Sequence, residues 1–177
     1  MPPHLSFMTD SQLRWGSFDT RFGRFGAAVD EDGTMVRFRF HAERRPDYGV
    51  EDDGAIAHIR EQVEEYCAGE RKDFDLRYAF IGGSNFERTI WEAMARIPYG
   101  ETITYGTMAK DAGDAGAARA VGVACNRNPL ALIVPCHRVV GAGGALVGFG
   151  GGLPLKRALL DFESVIAGRP RDLFASA

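Results

Sequence analysis

Thr104-Tyr105-Gly106-Thr107-Met108-Ala109-Lys110-Asp111-Ala112-Gly113-Asp114-Ala115-Gly116-Ala117-Ala118-Arg119-Ala120-Val121-Gly122-Val123-Ala124-Cys125 contains two helix starts in quick succession. Thr104 and Asp114 are capping residues and Gly113 is a stop. The stretch therefore predicts one short helix from Thr104 to near Gly113 and a second from Asp114 to about Cys125, a helix-turn-helix pattern. The second helix is built of small residues, with Arg119 as its one long cationic side chain. Small residues let another backbone come close, and either DNA or a neighbouring helix satisfies such a face.

Toward the N-terminus, Gly82-Gly83 reads as a linker, and Ser84-Asn85-Phe86-Glu87 has capping-box spacing. It opens a helix with Phe86, Ile90, Met94 and Ile97 on one face, closed by Pro98. Trp91 on this helix reads as core rather than as a stacking platform. Further back, Arg24 to Val29 and Thr34 to Phe40 flank the turn signal Asp30-Glu31-Asp32-Gly33 and predict a hairpin. The acidic stretch Pro46 to Gly54 reads as a solvated loop. After it, Ile56, Ile59, Val63 and Tyr66 recur at helical spacing until Gly69. Cys67 sits beside that stripe, as a small buried hydrophobe would.

Toward the C-terminus, Leu130-Ala131-Leu132-Ile133-Val134 has the pattern of a buried strand, ending at Pro135 and delivering Cys136. His137 and Arg138 follow, then a glycine-rich stretch from Gly141 to Gly152. A last helix begins at Pro154 and runs through Leu155, Leu159, Leu160 and Glu163 to Gly168, with Arg169 to Ala177 as a mobile tail.

The chemistry concentrates at Cys136. A thiol at its free pKa of about 8.5 is only a few per cent thiolate at neutral pH, so a base or cation must raise that fraction. His137 can serve as that base, through a turn or a bridging water, because adjacent residues on an extended chain point apart. A carboxylate on the other ring nitrogen would orient it, and Glu163 is the candidate. A Cys-His dipeptide by itself also fits a structural cysteine beside a surface histidine.

Composition bounds the partners. The 177-residue chain is 45% hydrophobic and 25% charged, which fits one domain or two small lobes. No apolar run approaches the roughly 20 residues of a membrane span, and Met1 to Asp10 carries no secretory signal. Cys67, Cys125 and Cys136 form no paired spacing, so free thiols and an intracellular location are expected, cytoplasmic or, in a eukaryote, nuclear. The net charge of -3 argues against a polyanionic partner, but its distribution reverses the argument. Residues 1–75 hold sixteen acids against ten bases, and residues 76–177 hold eight against eleven. From Ala115 to Leu160 there is no acid, while Arg119, Arg127, Arg138, Lys156 and Arg157 fall there. Gathered on one face they would suit a polyanion; scattered, they would not.

Several motifs share one order and spacing: Ile97-Pro98-Tyr99-Gly100-Glu101-Thr102, Thr104-Tyr105-Gly106, Ala118-Arg119-Ala120-Val121-Gly122, Asn128-Pro129, Ile133-Val134-Pro135-Cys136-His137-Arg138-Val139-Val140, and Gly151-Gly152-Leu153 with Lys156 and Glu163. Together they resemble the O6-alkylguanine-DNA alkyltransferases, also called methylated-DNA-protein-cysteine methyltransferases. The strong resemblance covers roughly residues 83–163, with a weaker likeness before it. It implies an α/β (α+β) fold: an N-terminal domain over 1–82 with an antiparallel sheet and a helix, a mainly helical lobe over 83–168 carrying the helix-turn-helix and the active-site cysteine, and a tail over 169–177. It implies irreversible, stoichiometric transfer of an alkyl group from O6-alkylguanine in double-stranded DNA to Cys136 after nucleotide flipping, with O4-alkylthymine a further candidate substrate. By the resemblance His137 is the base acting through water, Glu163 its orienting carboxylate, Asn128 the brace of the active-site turn, and Tyr105 the phenol that protonates the leaving guanine. Arg119 is the finger that fills the emptied stack, and Ala118 and Gly122 line the close approach to the minor groove. Val139, Phe149 and Gly150 line the pocket. The resemblance implies a monomer that needs neither cofactor nor metal and no membrane.

Phe149 stands where the family usually has tyrosine, Glu87 where glutamine is frequent, and Asn126 where a small or basic residue is common. Cys67, His4, His41 and His58 have no zinc-ligand spacing, so no zinc is expected, nor is the regulatory methyl-acceptor domain of some relatives. Two other readings compete. A lesion-recognition module without transfer would lack the acceptor, which is present as Cys136. A cysteine hydrolase would need an oxyanion hole, for which the sequence offers no distinct motif.

Overall fold

The computed structural model describes residues 10–169, in which the chain divides after Gly82 into two compact units. In the first, β1 (Arg14–Thr20), β2 (Gly23–Val29) and β3 (Met35–Arg39) form an antiparallel meander, and the two-residue β4 (Val50–Glu51) adds to β1 in parallel, giving the order β3-β2-β1-β4. The β2–β3 hairpin closes where the Asp30 carboxylate accepts the backbone N–H groups of Asp32 and Thr34 and Gly33 takes a φ of +75°. Phe25, Phe38 and Phe40 meet edge to face in the core, with centroids 5.1 to 6.4 Å apart. β1 was not foreseen, because Gly16 and Ser17 interrupt the alternation of Trp15 and Phe18. A side chain at Gly16 would fall within 2.8 Å of Asp53 and Ile56. The helix α1 (Ala57–Ala68) buries Ile59, Val63, Tyr66 and Cys67 and stops at Gly69 in the left-handed region.

The second unit opens with α2 (Asn85–Met94), whose capping box is complete: Ser84 accepts from the Glu87 N–H, and the Glu87 carboxylate accepts from the Ser84 N–H. Trp91 is buried, donating its indole N–H to the Ala124 carbonyl at 2.8 Å. A short β5 (Ile103–Thr104) pairs in parallel with β6 (Val139–Val140). Thr104 caps α3 (Tyr105–Asp111), and α4 (Ala118–Asn126) packs against both α2 and α3. The second helix starts at Ala118 rather than Asp114. Asp114 spends its side chain on the Gly116 N–H and its carbonyl on Ala117, closing a turn ahead of the helix. The last helix, α5 (Leu153–Ile166), has Pro154 in its first turn. No described helix is long and apolar enough to cross a membrane. Residues 170–177, most of the expected tail, lie outside the described residues.

The strand expected at Leu130–Val134 is not one. Those residues form tight turns, with Leu132 at a φ of +68° and Val134 N–H bonded back to the Leu130 carbonyl at 2.9 Å. Leu130, Leu132, Ile133 and Val134 are buried all the same, which explains the apolar run. A periodicity argument cannot separate a coiled apolar turn from a buried strand when both bury every second residue or more.

Candidate active site

Cys136, His137 and Arg138 form a single 3-10 turn between the Leu130–Val134 turns and β6, and all three are buried. The turn replaces the extended geometry in which neighbouring side chains point apart. Asn128 braces the segment leading into it: its amide donates to the Val134 carbonyl at 2.8 Å and accepts the Leu130 N–H at 3.0 Å. Without it the Leu130 N–H would be buried with no partner, a cost of about 1–3 kcal/mol, while the Val134 carbonyl would keep only the Cys136 N–H at 2.8 Å.

Behind the turn stands Glu163, projecting from α5 and fully buried. His137 Nε2 lies 2.7 Å from Glu163 Oε1. Arg138 reaches the same carboxylate with a fork, Nε to Oε2 and Nη2 to Oε1, both at 2.9 Å, and its Nη1 donates to the Ile97 carbonyl at 2.7 Å. The Gly100 N–H adds a longer bond of 3.3 Å. Gly100 must be glycine here, with a φ of +73° and room for no Cβ, which would come within 2.7 Å of Ala167. Burial works against the Glu163 carboxylate, but the His137 and Arg138 donors outweigh it and hold the group well below the usual carboxylate range. Burial pushes the His137 imidazole toward its neutral form; Glu163 pulls the other way, and Arg138 and Lys156 reinforce the burial.

An ionised carboxylate only accepts, so the proton between His137 and Glu163 belongs to Nε2. That leaves Nδ1 of the neutral ring with its lone pair, and among the described residues Nδ1 is buried with no hydrogen-bond partner. Burial pushes the Cys136 thiol up, while the Asn128 amide and the Lys156 ammonium pull it down.

Lys156 and Arg138, which the sequence offered only among five basic residues that could face a polyanion, are buried groups of the site instead. Lys156, on α5, is fully buried, donates to the Val139 carbonyl at 2.6 Å and the Tyr105 hydroxyl at 3.2 Å, and lies 5.4 and 5.6 Å from the Tyr105 and Phe149 ring centres. The signal for it was its place on the apolar stripe of α5, one turn before Leu159 and Leu160 and two before Glu163. The Tyr105 hydroxyl also donates to the Val147 carbonyl at 3.0 Å, and burial pushes this phenol above its ordinary value. Phe149 is half-buried beside Lys156, Gly150 is exposed, and Val139 is buried with its carbonyl held by Lys156. Of the helix-turn-helix residues, Arg119 is exposed and Ala118 half-buried. Gly122 is half-buried, and a Cβ there would rest 4.0 Å from the Tyr105 ring, in ordinary contact. The structure thus brings Cys136, His137, Glu163, Asn128, Tyr105, Val139 and Phe149 around one turn and leaves Arg119 outside it. Of the departures from the common pattern, Glu87 completes the cap of α2 and pairs with Arg127 at 2.9 Å.

Residues 85–165 match the family model described as 6-O-methylguanine DNA methyltransferase, DNA binding domain. A methylated-DNA–protein-cysteine methyltransferase of Methanosarcina acetivorans is 44% identical over 154 residues, 85% of this chain and 98% of the relative. One of Mycobacterium tuberculosis is 49% identical over 122 residues, 69% and 72% of the two chains. Among solved structures, Mycobacterium tuberculosis OGT in complex with DNA superposes with a TM-score of 0.81 at 37% identity, covering 92% of this chain and 99% of that one. An O6-methylguanine-DNA methyltransferase of Pyrococcus kodakaraensis shares the fold, with a TM-score of 0.57 at 24% identity over 85% of this chain and 98% of that one. The identity along nearly the whole length of the archaeal relative, together with the family model over the unit that holds Cys136, shows that this chain belongs to the methylated-DNA–protein-cysteine methyltransferases.

Proposed function

We propose that Cys136 is the residue that takes the alkyl group, from the O6 position of an alkylguanine in double-stranded DNA, once per molecule. The observation that carries this is the His137–Glu163 pair: with Nε2 committed to the carboxylate at 2.7 Å, the free lone pair of the base sits on Nδ1, in the same turn as the thiol. A water between Nδ1 and Sγ carries the thiol proton to the imidazole. The sulfur lone pair then forms the S–C bond as the C–O6 bond breaks, and the bonding pair leaves on guanine. Tyr105 supplies a proton to the leaving base, a task suited to a phenol that burial keeps protonated. The thioether has no hydrolytic exit comparable to an acyl-enzyme, so the chain is consumed.

Access requires the nucleotide to leave the stack, because the alkyl carbon on O6 of a stacked base cannot be reached in line by a buried thiolate. The α4 helix serves this step: Ala118 and Gly122 permit a close approach to the minor groove, and exposed Arg119 fills the gap left by the flipped base. Val139, Phe149 and Gly150 form the pocket, and Asn128 keeps the turn in shape. The relative crystallised with DNA supports DNA as the partner. O4-alkylthymine is a second candidate, since it presents the same alkyl-oxygen carbon.

Incubation with duplex DNA carrying O6-methylguanine, followed by intact mass, tests the reading. One methyl increment that is absent in Cys136→Ser is expected, and binding without any increment would replace transfer by lesion recognition. Arg119→Ala should slow repair of duplex far more than reaction with the free base. Equal loss on both would remove the finger assignment.

A further inference from the structure

The Glu163 carboxylate serves two hydrogen-bond donors, the neutral His137 imidazole and the Arg138 guanidinium, and only the first is a base. Arg138 occupies both carboxylate oxygens in a bidentate fork, is itself buried, and uses its third nitrogen on the Ile97 carbonyl with its guanidinium 5.4 Å from the Tyr99 ring centre. Lysine could reproduce the charge but not the fork. We propose that Arg138 is a positioning residue for the transfer: its guanidinium locks Glu163 behind His137 and cancels the carboxylate's charge, which keeps the Cys136–His137 pair at one shared proton rather than two at neutral pH.

With Glu163 and Arg138 both ionised, the pair is neutral. A Cys136–His137 pair holding one proton is also neutral, whether that proton sits on sulfur or on the imidazole. A second proton makes the buried cluster cationic, next to Lys156, which burial already pushes toward its uncharged form. Without Arg138 the bare carboxylate would welcome that second proton and hold it on His137, where it blocks the base. The groups that face His137 are Glu163 and Lys156 from α5 and Arg138 from its own turn, which also carries Cys136, while Tyr99, from the segment between α2 and β5, faces the Arg138–Glu163 pair. Arg138 shares Oε1 of Glu163 with His137, and it also ties that carboxylate to the Ile97–Gly100 segment that leads into β5 and Tyr105.

The test reads the acid limb of Cys136 alkylation by iodoacetamide, located by peptide mass. It rests on the reading of His137 as the base but does not require transfer from DNA, so the two can fail separately. Arg138→Met should move the acid limb up by about one pH unit or more. Arg138→Lys should return it close to its original position while leaving the rate below that of the unaltered protein. Because Arg138→Met strands a buried carboxylate and can fail to fold, a second pair of variants measures the same difference with the carboxylate removed. The acid limb of Glu163→Gln/Arg138→Met should lie above that of Glu163→Gln. Unshifted limbs in both comparisons would overturn the proposal, as would an Arg138→Lys limb displaced as far as that of Arg138→Met.

Discussion

Cys67 and Cys136 are equally hidden, 8% and 6% exposed, yet their surroundings could hardly differ more. Cys67 ends α1 beside Val63 and Tyr66, where burial pushes its thiol to about 11, against weaker pulls from Thr20 and Arg21. Burial also pushes Cys136 up, but this thiol shares its enclosure with an amide, an imidazole and an ammonium, and behind them stands a carboxylate in a guanidinium fork. Burial alone silences a thiol. What separates the proposed acceptor from a core residue is the set of charges buried with it, each costly to bury and each given partners.

The largest effect that could break the comparison is the exchange of each cysteine in turn. Cys136→Ser should abolish methyl uptake, and Cys67→Ser should leave it at the full level; uptake that survives Cys136→Ser would erase the distinction. Next comes Glu163→Gln, which should slow transfer by about 100-fold, in the range of lost general-base assistance. The same change strands the Arg138 guanidinium and should destabilise the fold by about 3–5 kcal/mol at pH 7. The folded Glu163 is held below its unfolded value of about 4.3, so its stabilising contribution is complete above that value and is lost as pH falls toward the folded one. The stability gap between the unaltered protein and Glu163→Gln should therefore be widest above about pH 5 and narrow below about pH 4, read from urea midpoints across that range. A constant gap would deny that the carboxylate is held ionised.

Asn128→Ala sharpens the comparison at the level of the backbone. It should cost about 1–3 kcal/mol for the Leu130 N–H it strands, since the Val134 carbonyl keeps the Cys136 N–H, and slow alkylation of Cys136 without touching Cys67. The smallest effect belongs to a region away from both thiols: Ser84→Ala should cost about 1 kcal/mol in thermal or chemical unfolding and leave transfer unchanged.

Much of this was legible in the sequence where the signal is local. The capping box at Ser84 and Glu87, the stop at Gly69 and the β2–β3 hairpin each depend on residues within a few positions of one another, and the chain folds there as its own chemistry dictates. The Leu130–Val134 turns escaped because they are closed by the Asn128 side chain across six residues and by Leu132 in a left-handed conformation, neither of which leaves a pattern in an apolar run. The two-residue β5 and β6 pair across 36 positions and have no periodicity to read. Glu163 was within reach as the one carboxylate on the buried stripe of α5. The second claim on it, by Arg138, was not, since only the fold reveals that one carboxylate serves two donors. Lys156 lay in plain sight on the same stripe, but its partners are a backbone carbonyl and a phenol brought in from distant segments.

The central claim is that one buried thiol, and no other, is spent on one lesion. Titration with duplex DNA carrying an isotope-labelled O6-methylguanine measures it directly, with label counted per chain and located by peptide mass. Uptake should rise to one label per chain, all of it on Cys136, and stay there however much DNA is added. Label on Cys67 or Cys125, or methyl release beyond one equivalent, would contradict the account.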